Sequence, residues 1–159
     1  MQKDFFNHHN FGHKNNEEFY GLGVNAKMSE LQAAMGLAVF SHFEHIKSER
    51  KKSVENYLSL LKNKPVNFLT IREHTEWNYP YFPIFMESEE AVLETQERMH
   101  RENIFPRRYF FPSLNNLPYV TKKSDCPVSE DISRRVLCLP LFVGLSNEDQ
   151  ERITQLIHD

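Results

Sequence analysis

The sequence predicts an α+β fold in which helices cover a small, mostly antiparallel sheet. Three observations carry that prediction. An apolar helical stretch follows Met28, and an amphipathic one follows Lys47. From Val66 onward, short extended runs alternate with further helical ones. No internal repeat or low-complexity tract interrupts the order. Helix, strand, strand, helix, strand, helix, strand, helix reads as a layered α+β arrangement.

Each element has its own reason. Residues 1–24 lack periodicity and carry His8, His9, Asn10, His13, Gly12, Gly21 and Gly23, so they read as irregular chain. An irregular opening of that length is unusual in a compact domain unless it packs on something else. From Met28 to about Phe43 there is no proline, and Met28, Leu31, Met35, Val39 and Phe43 share one helical face. Ala33, Ala34, Leu37, Ala38 and Phe40 fill much of the remainder. A helix apolar nearly all round is buried on more than one side, so this one calls for a second surface. From Lys47 the pattern becomes a stripe of Val54, Tyr57, Leu58 and Leu61, with Glu49, Arg50, Lys51, Lys52 and Glu55 toward water. Pro65 ends that helix.

Residues 66–71 read as a strand. Residues 78–86 read as a second one, and Pro80 and Pro83 place it at an edge or a bulge. Ser88 caps a helix that opens with Glu89 and Glu90 and runs to about Asn103. Ile104 and Phe105 open a short extended piece. Residues 106–128 are rich in proline and read as loop. A short helix over 131–136 leads into a short strand over 137–139. Ser146 and Asp149 resemble a capping box before a last helix with Ile153, Leu156 and Ile157 inward.

Composition narrows the function classes. Nineteen Lys and Arg against 22 Asp and Glu give a formal charge of −3 and a pI near 6.2. A dedicated nucleic-acid binder is usually strongly basic, so no nucleic-acid partner is expected. Two cysteines, Cys126 and Cys138, rule out a disulfide framework and a four-cysteine zinc site. A reduced, cytoplasmic protein is the expectation. No run of about 18 apolar residues would span a membrane, and Met1–Asn10 has no apolar core that would make it a signal peptide. A mean hydropathy of −0.60 suggests that a partner or further sequence completes some of the burial.

Few residues carry chemistry by pattern alone. His42 and His45 lie one turn apart, but no third ligand stands nearby, and the pair reads as helix surface. No metal is expected. Gly21, Gly23 and Asn25 form a glycine-rich turn before a helix, where backbone N–H groups can hold phosphate. The turn is neither a Walker loop nor a dinucleotide fingerprint. Arg107, Arg108, Tyr109, Phe110, Phe111 and Ser113 combine cations, aromatics and a hydroxyl in one loop. Guanidinium groups suit phosphate and carboxylate, and the rings either receive a base or sugar face or seal the core. Neither cysteine has a base beside it in sequence, so no nucleophilic catalysis is indicated.

As a set, these residues match a known pattern. Asn10-Phe11-Gly12-His13 is followed by Phe19-Tyr20-Gly21-Leu22-Gly23-Val24-Asn25-Ala26-Lys27-Met28-Ser29-Glu30-Leu31. Asn78-Tyr79-Pro80-Tyr81-Phe82-Pro83-Ile84, Arg107-Arg108-Tyr109-Phe110-Phe111-Pro112-Ser113-Leu114-Asn115, Cys126-Pro127-Val128 and Val136-Leu137-Cys138-Leu139-Pro140-Leu141 come after it in order. Over its whole length the chain resembles the DegT/DnrJ/EryC1/StrS family of pyridoxal-phosphate sugar aminotransferases, which have the type I aminotransferase fold. The Gly-x-Asn-x-Lys-Met-x-Glu block is the most specific match. The block from Tyr109 to Asn115 looks most like the branch that makes dTDP-4-amino-4,6-dideoxyglucose. Leu114 stands where many members carry His, which leaves the sugar open.

The resemblance implies a division of labour. In the family, the lysine that joins the cofactor lies in a large N-terminal domain, upstream of the motif at Asn10. None of the ten lysines here has that context. The expectation is therefore a C-terminal portion: residues 28–159 form the long helix and small domain, and residues 1–27 pack on the large domain and the partner subunit. The portion is expected to be inactive alone and to bind pyridoxal phosphate poorly. Asn25 matches the residue that reaches the cofactor phosphate of the partner subunit. Lys27 would meet substrate phosphate. Tyr20, Arg107, Arg108, Tyr109 and Ser113 would lie on the nucleotide-sugar side of the cleft. The intact enzyme would pass an amine from glutamate to a 4-keto-6-deoxy sugar nucleotide. Implied partners are a second copy of the chain or an N-terminal half. The alternative is a non-catalytic dimerisation module from a split or truncated gene. Without its covers, the Met28 helix should expose an apolar patch and favour self-association.

Overall fold

The computed structural model describes residues 13–15, 17–19, 21–23, 28–122 and 124–157. They hold five α-helices and one three-stranded antiparallel sheet. The helices are α1 (Glu30–Phe40), α2 (Phe43–Leu60), α3 (Glu89–Arg101), α4 (Pro127–Arg135) and α5 (Asn147–Gln155). The strands are β1 (Asn67–Phe68), β2 (Phe82–Phe85) and β3 (Val136–Leu139), in the order β1-β2-β3. The chain divides into two compact units, one of residues 1–41 with 110–130 and one of 42–109 with 131–159.

The second unit holds the core. Val54, Tyr57 and Leu61 from the α2 stripe meet Phe82 and Ile84 of β2, Leu137 and Leu139 of β3, Val92 and Met99 of α3, and Ile153 and Ile157. The Tyr57 ring stacks on Phe82 at 5.1 Å, and its hydroxyl donates to the Pro140 carbonyl at 3.0 Å. Burial pushes the Tyr57 phenol well above its ordinary pKa. A buried polar group is tolerated when it is hydrogen-bonded, and Gln150 meets that condition. It donates to the Ser53 carbonyl at 2.8 Å and accepts from Asn56 at 2.6 Å, which ties α2 to α5.

The expected edge position of the second strand is corrected. β2 lies in the centre, and its Pro83 pairs with Cys138 of β3. A proline fits there because neither ladder needs its missing N–H. Cys138 directs both its backbone groups to Arg107 instead, at 2.8 and 3.3 Å. On the other side, β1 pairs only with Ile84 and Phe85 and does not reach Pro83. Both early strands are shorter than expected. Leu69 and Ile71 are exposed, and Tyr79 has φ 53°, which breaks the extended chain before Pro80.

The caps follow the sequence closely. Ser88 accepts from Ala91 N at 3.2 Å, and Ser146 accepts from Asp149 N at 3.0 Å. The C-terminus of α3 closes as a Schellman turn. Asn103 at φ 58° donates to His100, Ile104 donates to Met99, and Ile104 packs against the core. α4 begins earlier than expected, at Pro127, where a helix needs no N–H.

In the first unit α1 stands out. Its capping box is complete: Ser29 Oγ accepts from Gln32 N at 3.3 Å, and Ser29 N donates to Gln32 Oε1 at 2.7 Å. The long helix expected to run to Phe43 ends at Phe40, where Ser41 Oγ turns back to the Ala38 carbonyl. No residue of α1 is buried. Leu31 is 72% exposed, Leu37 78% and Phe40 74%, so the expected apolar patch is present. No described helix is long and apolar enough to cross a membrane.

Candidate functional site

The segment after α3 carries the arginine pair. The Schellman turn delivers Ile104 to the core, and the chain then runs extended alongside β3. Arg107 and Cys138 exchange backbone hydrogen bonds there. Successive side chains of an extended segment point to opposite faces. Pro106 and Arg108 are buried accordingly, while Arg107 is exposed and Tyr109 is half-buried.

Arg107 and Tyr109 therefore share the outer face. Arg107 Nη1 donates to the Tyr109 hydroxyl, and the guanidinium carbon lies 5.4 Å from the Tyr109 ring centroid. The cation–aromatic contact helps to orient both groups. The Tyr81 ring meets Tyr109 edge-to-face at 5.2 Å and 68°. Sequence reasoning does not single out Tyr81 as a site residue. Its only signal there is its place in the Asn78–Ile84 block.

Arg108 faces the other way. Its side chain is 3% exposed, its Nη2 lies 2.6 Å from Glu89 Oε1, and the same nitrogen donates to the Arg134 carbonyl at 3.1 Å. The two adjacent arginines thus occupy opposite faces, and the inner one ties the segment to the start of α3. Glu89 is well placed for this, because a carboxylate in the first turn also faces the positive end of the helix dipole.

Ser113 belongs to the first unit and is 4% exposed. Its hydroxyl donates to Asn115 Oδ1 at 2.7 Å and lies 2.7 Å from Ser129 Oγ. Asn115 in turn donates to the Ser124 carbonyl and to Glu130. This network braces the loop that contains the cis Phe111–Pro112 bond and the short 3-10 turn at Leu114–Asn116. Tyr20, Asn25 and Lys27 lie outside the described residues.

Two further groups bear on the chemistry. Burial pushes the Cys138 thiol up to about 11, which keeps it protonated at neutral pH. Among the described residues no cluster of three or more His, Cys, Asp or Glu could hold a metal ion. No described lysine is buried. Lys47, only 19% exposed at its side chain, pairs with Glu76, which raises its pKa and keeps it a cation. A lysine that attacks an aldehyde must lose its proton. The pairing with Glu76 therefore disfavours Lys47 as such a nucleophile.

The model of the DegT/DnrJ/EryC1/StrS aminotransferase family matches residues 2–158. The chain belongs to this family. It is 33% identical to a dTDP-4-amino-4,6-dideoxy-D-glucose transaminase of Escherichia coli, over 93% of this chain and 42% of that protein. It is 30% identical to the enzyme of the same name from Shigella dysenteriae, over 94% of this chain and 42% of that protein. Among solved structures, DesI with its TDP-sugar product superposes with a TM-score of 0.72 at 28% identity. That match covers 95% of this chain and 40% of DesI. The small antiparallel sheet and its helices thus reproduce part of a sugar-aminotransferase fold, as the sequence implied. This aminotransferase-family chain spans about two fifths of the length of the relatives it matches.

Proposed function

We propose that this chain is the C-terminal portion of a pyridoxal-phosphate-dependent sugar-nucleotide aminotransferase. In the intact enzyme the amine would pass from glutamate to a 4-keto-6-deoxy sugar nucleotide. The observation that carries the proposal is the family match over residues 2–158, joined to 33% identity with a dTDP-sugar transaminase. The carbonyl chemistry belongs to the cofactor, and its lysine would come from outside the described residues.

In this reading the chain supplies the nucleotide-sugar side. The exposed Arg107 offers a planar fork of donors that suits a phosphate. Tyr109 adds a hydroxyl and a ring face beside it. Arg108, committed to Glu89, positions the segment from within, and Ser113 braces the following loop. Tyr20 would line the cleft, Lys27 would meet substrate phosphate, and Asn25 would reach the cofactor phosphate of a partner subunit. These last three assignments rest on the family motif. The bare α1 supports assembly with a second copy or with an N-terminal half.

The test is complementation. The purified chain is given pyridoxal phosphate, glutamate and a dTDP-4-keto-6-deoxy sugar, alone and after co-production with the upstream half of a family member. Amination that requires both halves is the expected result. Amination by the chain alone would overturn the division of labour. Absence of amination with both halves, when the two co-purify, would favour the interaction module.

A further inference from the structure

The backbone before β2 is held in a conformation that side chains disfavour. Tyr79 has φ 53° although it is neither glycine nor asparagine, and it precedes a proline. Such a residue persists where its surroundings over-determine it, often at ligand sites. The surroundings here are specific. Arg50 donates to the Tyr79 carbonyl at 3.3 Å and to the Leu141 carbonyl at 3.4 Å, and the Trp77 ring lies 4.6 Å from the Tyr79 ring.

This kink sets the facing of the strand that leaves it. Phe82 enters the core, so the alternation of extended chain turns Tyr81 to the opposite side, where it is 46% exposed. It meets Tyr109 edge-to-face, and Tyr109 already holds Arg107. Two elements distant in sequence thus present two phenols and a guanidinium on one outer face. An edge-to-face pair leaves a ring face open for a third planar group. The neighbouring guanidinium suits an anion.

We propose that Tyr81 is a further binding residue of this face and stacks on the base of a nucleoside diphosphate whose phosphates engage Arg107. The inference rests on the sugar-nucleotide reading above. The kink at Tyr79, anchored by Arg50, serves to aim the Tyr81 ring.

The probe is thymidine 5′-diphosphate, titrated calorimetrically into the full 159-residue chain. The variants are Tyr81→Phe, Tyr81→Leu and Arg107→Ala, each checked for an unchanged melting temperature. Tyr81→Leu keeps apolar packing against Tyr109 and removes the ring. It should weaken binding about tenfold, within the range for losing one base–aromatic stack. Tyr81→Phe should bind like the unaltered chain. Arg107→Ala should weaken binding and flatten its dependence on salt. Full affinity in Tyr81→Leu, with loss in Arg107→Ala, would overturn the role of Tyr81 and leave the sugar-nucleotide reading standing. Loss in Tyr81→Phe as large as in Tyr81→Leu would overturn the stacking role. No binding by the unaltered chain, or no effect of Arg107→Ala, would overturn the nucleotide face as a whole.

Discussion

Helices α1 and α2 are separated only by Ser41 and His42, yet they are stabilised in different ways. α2 is amphipathic and buries Ser53, Val54 and Tyr57. Its charged face is turned to water, and its burial is completed within this chain. α1 is apolar on nearly every side and buries nothing. What holds it as a helix is local: the Ser29–Gln32 capping box and good helix formers such as Ala33, Ala34 and Leu37. An 11-residue helix is marginal on local terms alone. The contrast teaches that a stripe of apolar residues matches a surface within its own unit, whereas the helix without a polar face stays exposed among the described residues.

Substitutions in the two helices should therefore have opposite signatures. The largest loss is expected for Tyr57→Ala in α2. Tyr57 is fully buried and combines a stacked ring with a satisfied hydroxyl, so truncation should cost about 3–5 kcal/mol, read as a lower urea midpoint. A loss below about 1 kcal/mol would mean that the core of the second unit is not where stability resides.

Arg108→Ala comes next. It leaves Glu89 half-sheltered without its cation. A cost of about 2–3 kcal/mol is expected, below that of a fully buried pair because Glu89 is 31% exposed. Arg107→Ala, one residue away on the outer face, should leave the urea midpoint within about 0.5 kcal/mol. Equal effects of the two would contradict their assignment to opposite faces.

A smaller effect concerns Cys138. Its folded pKa is raised from 9.0 to about 11, so the unfolded chain loses the proton first. The thiol's contribution is full below pH 9 and is lost as pH rises toward 11. Cys138→Ala should flatten the fall in stability over that window. At neutral pH, iodoacetamide should label the half-exposed Cys126 and spare Cys138 until urea opens the core. The smallest change in stability is expected for Leu37→Ser in α1, within about 0.5 kcal/mol. Its effect should instead be on association, seen as a smaller sedimentation coefficient. A large loss of stability would show that α1 is packed within the chain.

Much of the fold is legible in the sequence because it depends on local chemistry. Ser88 and Ser146 announce their helices through hydrogen bonds that span three residues, and the Val54–Tyr57–Leu61 stripe requires only helical geometry. What escapes is what tertiary context decides. Pro83 marks an edge by rule, and only the commitment of Cys138 to Arg107, together with the short β1, makes a central position free of cost. Two adjacent arginines look alike in sequence, and only the pairing of the segment with β3 turns Arg108 inward and Arg107 outward. Tyr81 acquires its place from a left-handed Tyr79 that no propensity would favour. Tyr20, Asn25 and Lys27 lie outside the described residues, so their roles rest on the family motif.

The central claim is that the cofactor's lysine is not among the residues of this chain. Incubation with pyridoxal phosphate, reduction with borohydride, and intact-mass analysis with peptide mapping test it directly. The account predicts no stoichiometric adduct and only scattered labelling of surface lysines such as Lys51 and Lys52. One stoichiometric adduct on a single lysine would mean that a cofactor site exists within these residues, and would contradict the account.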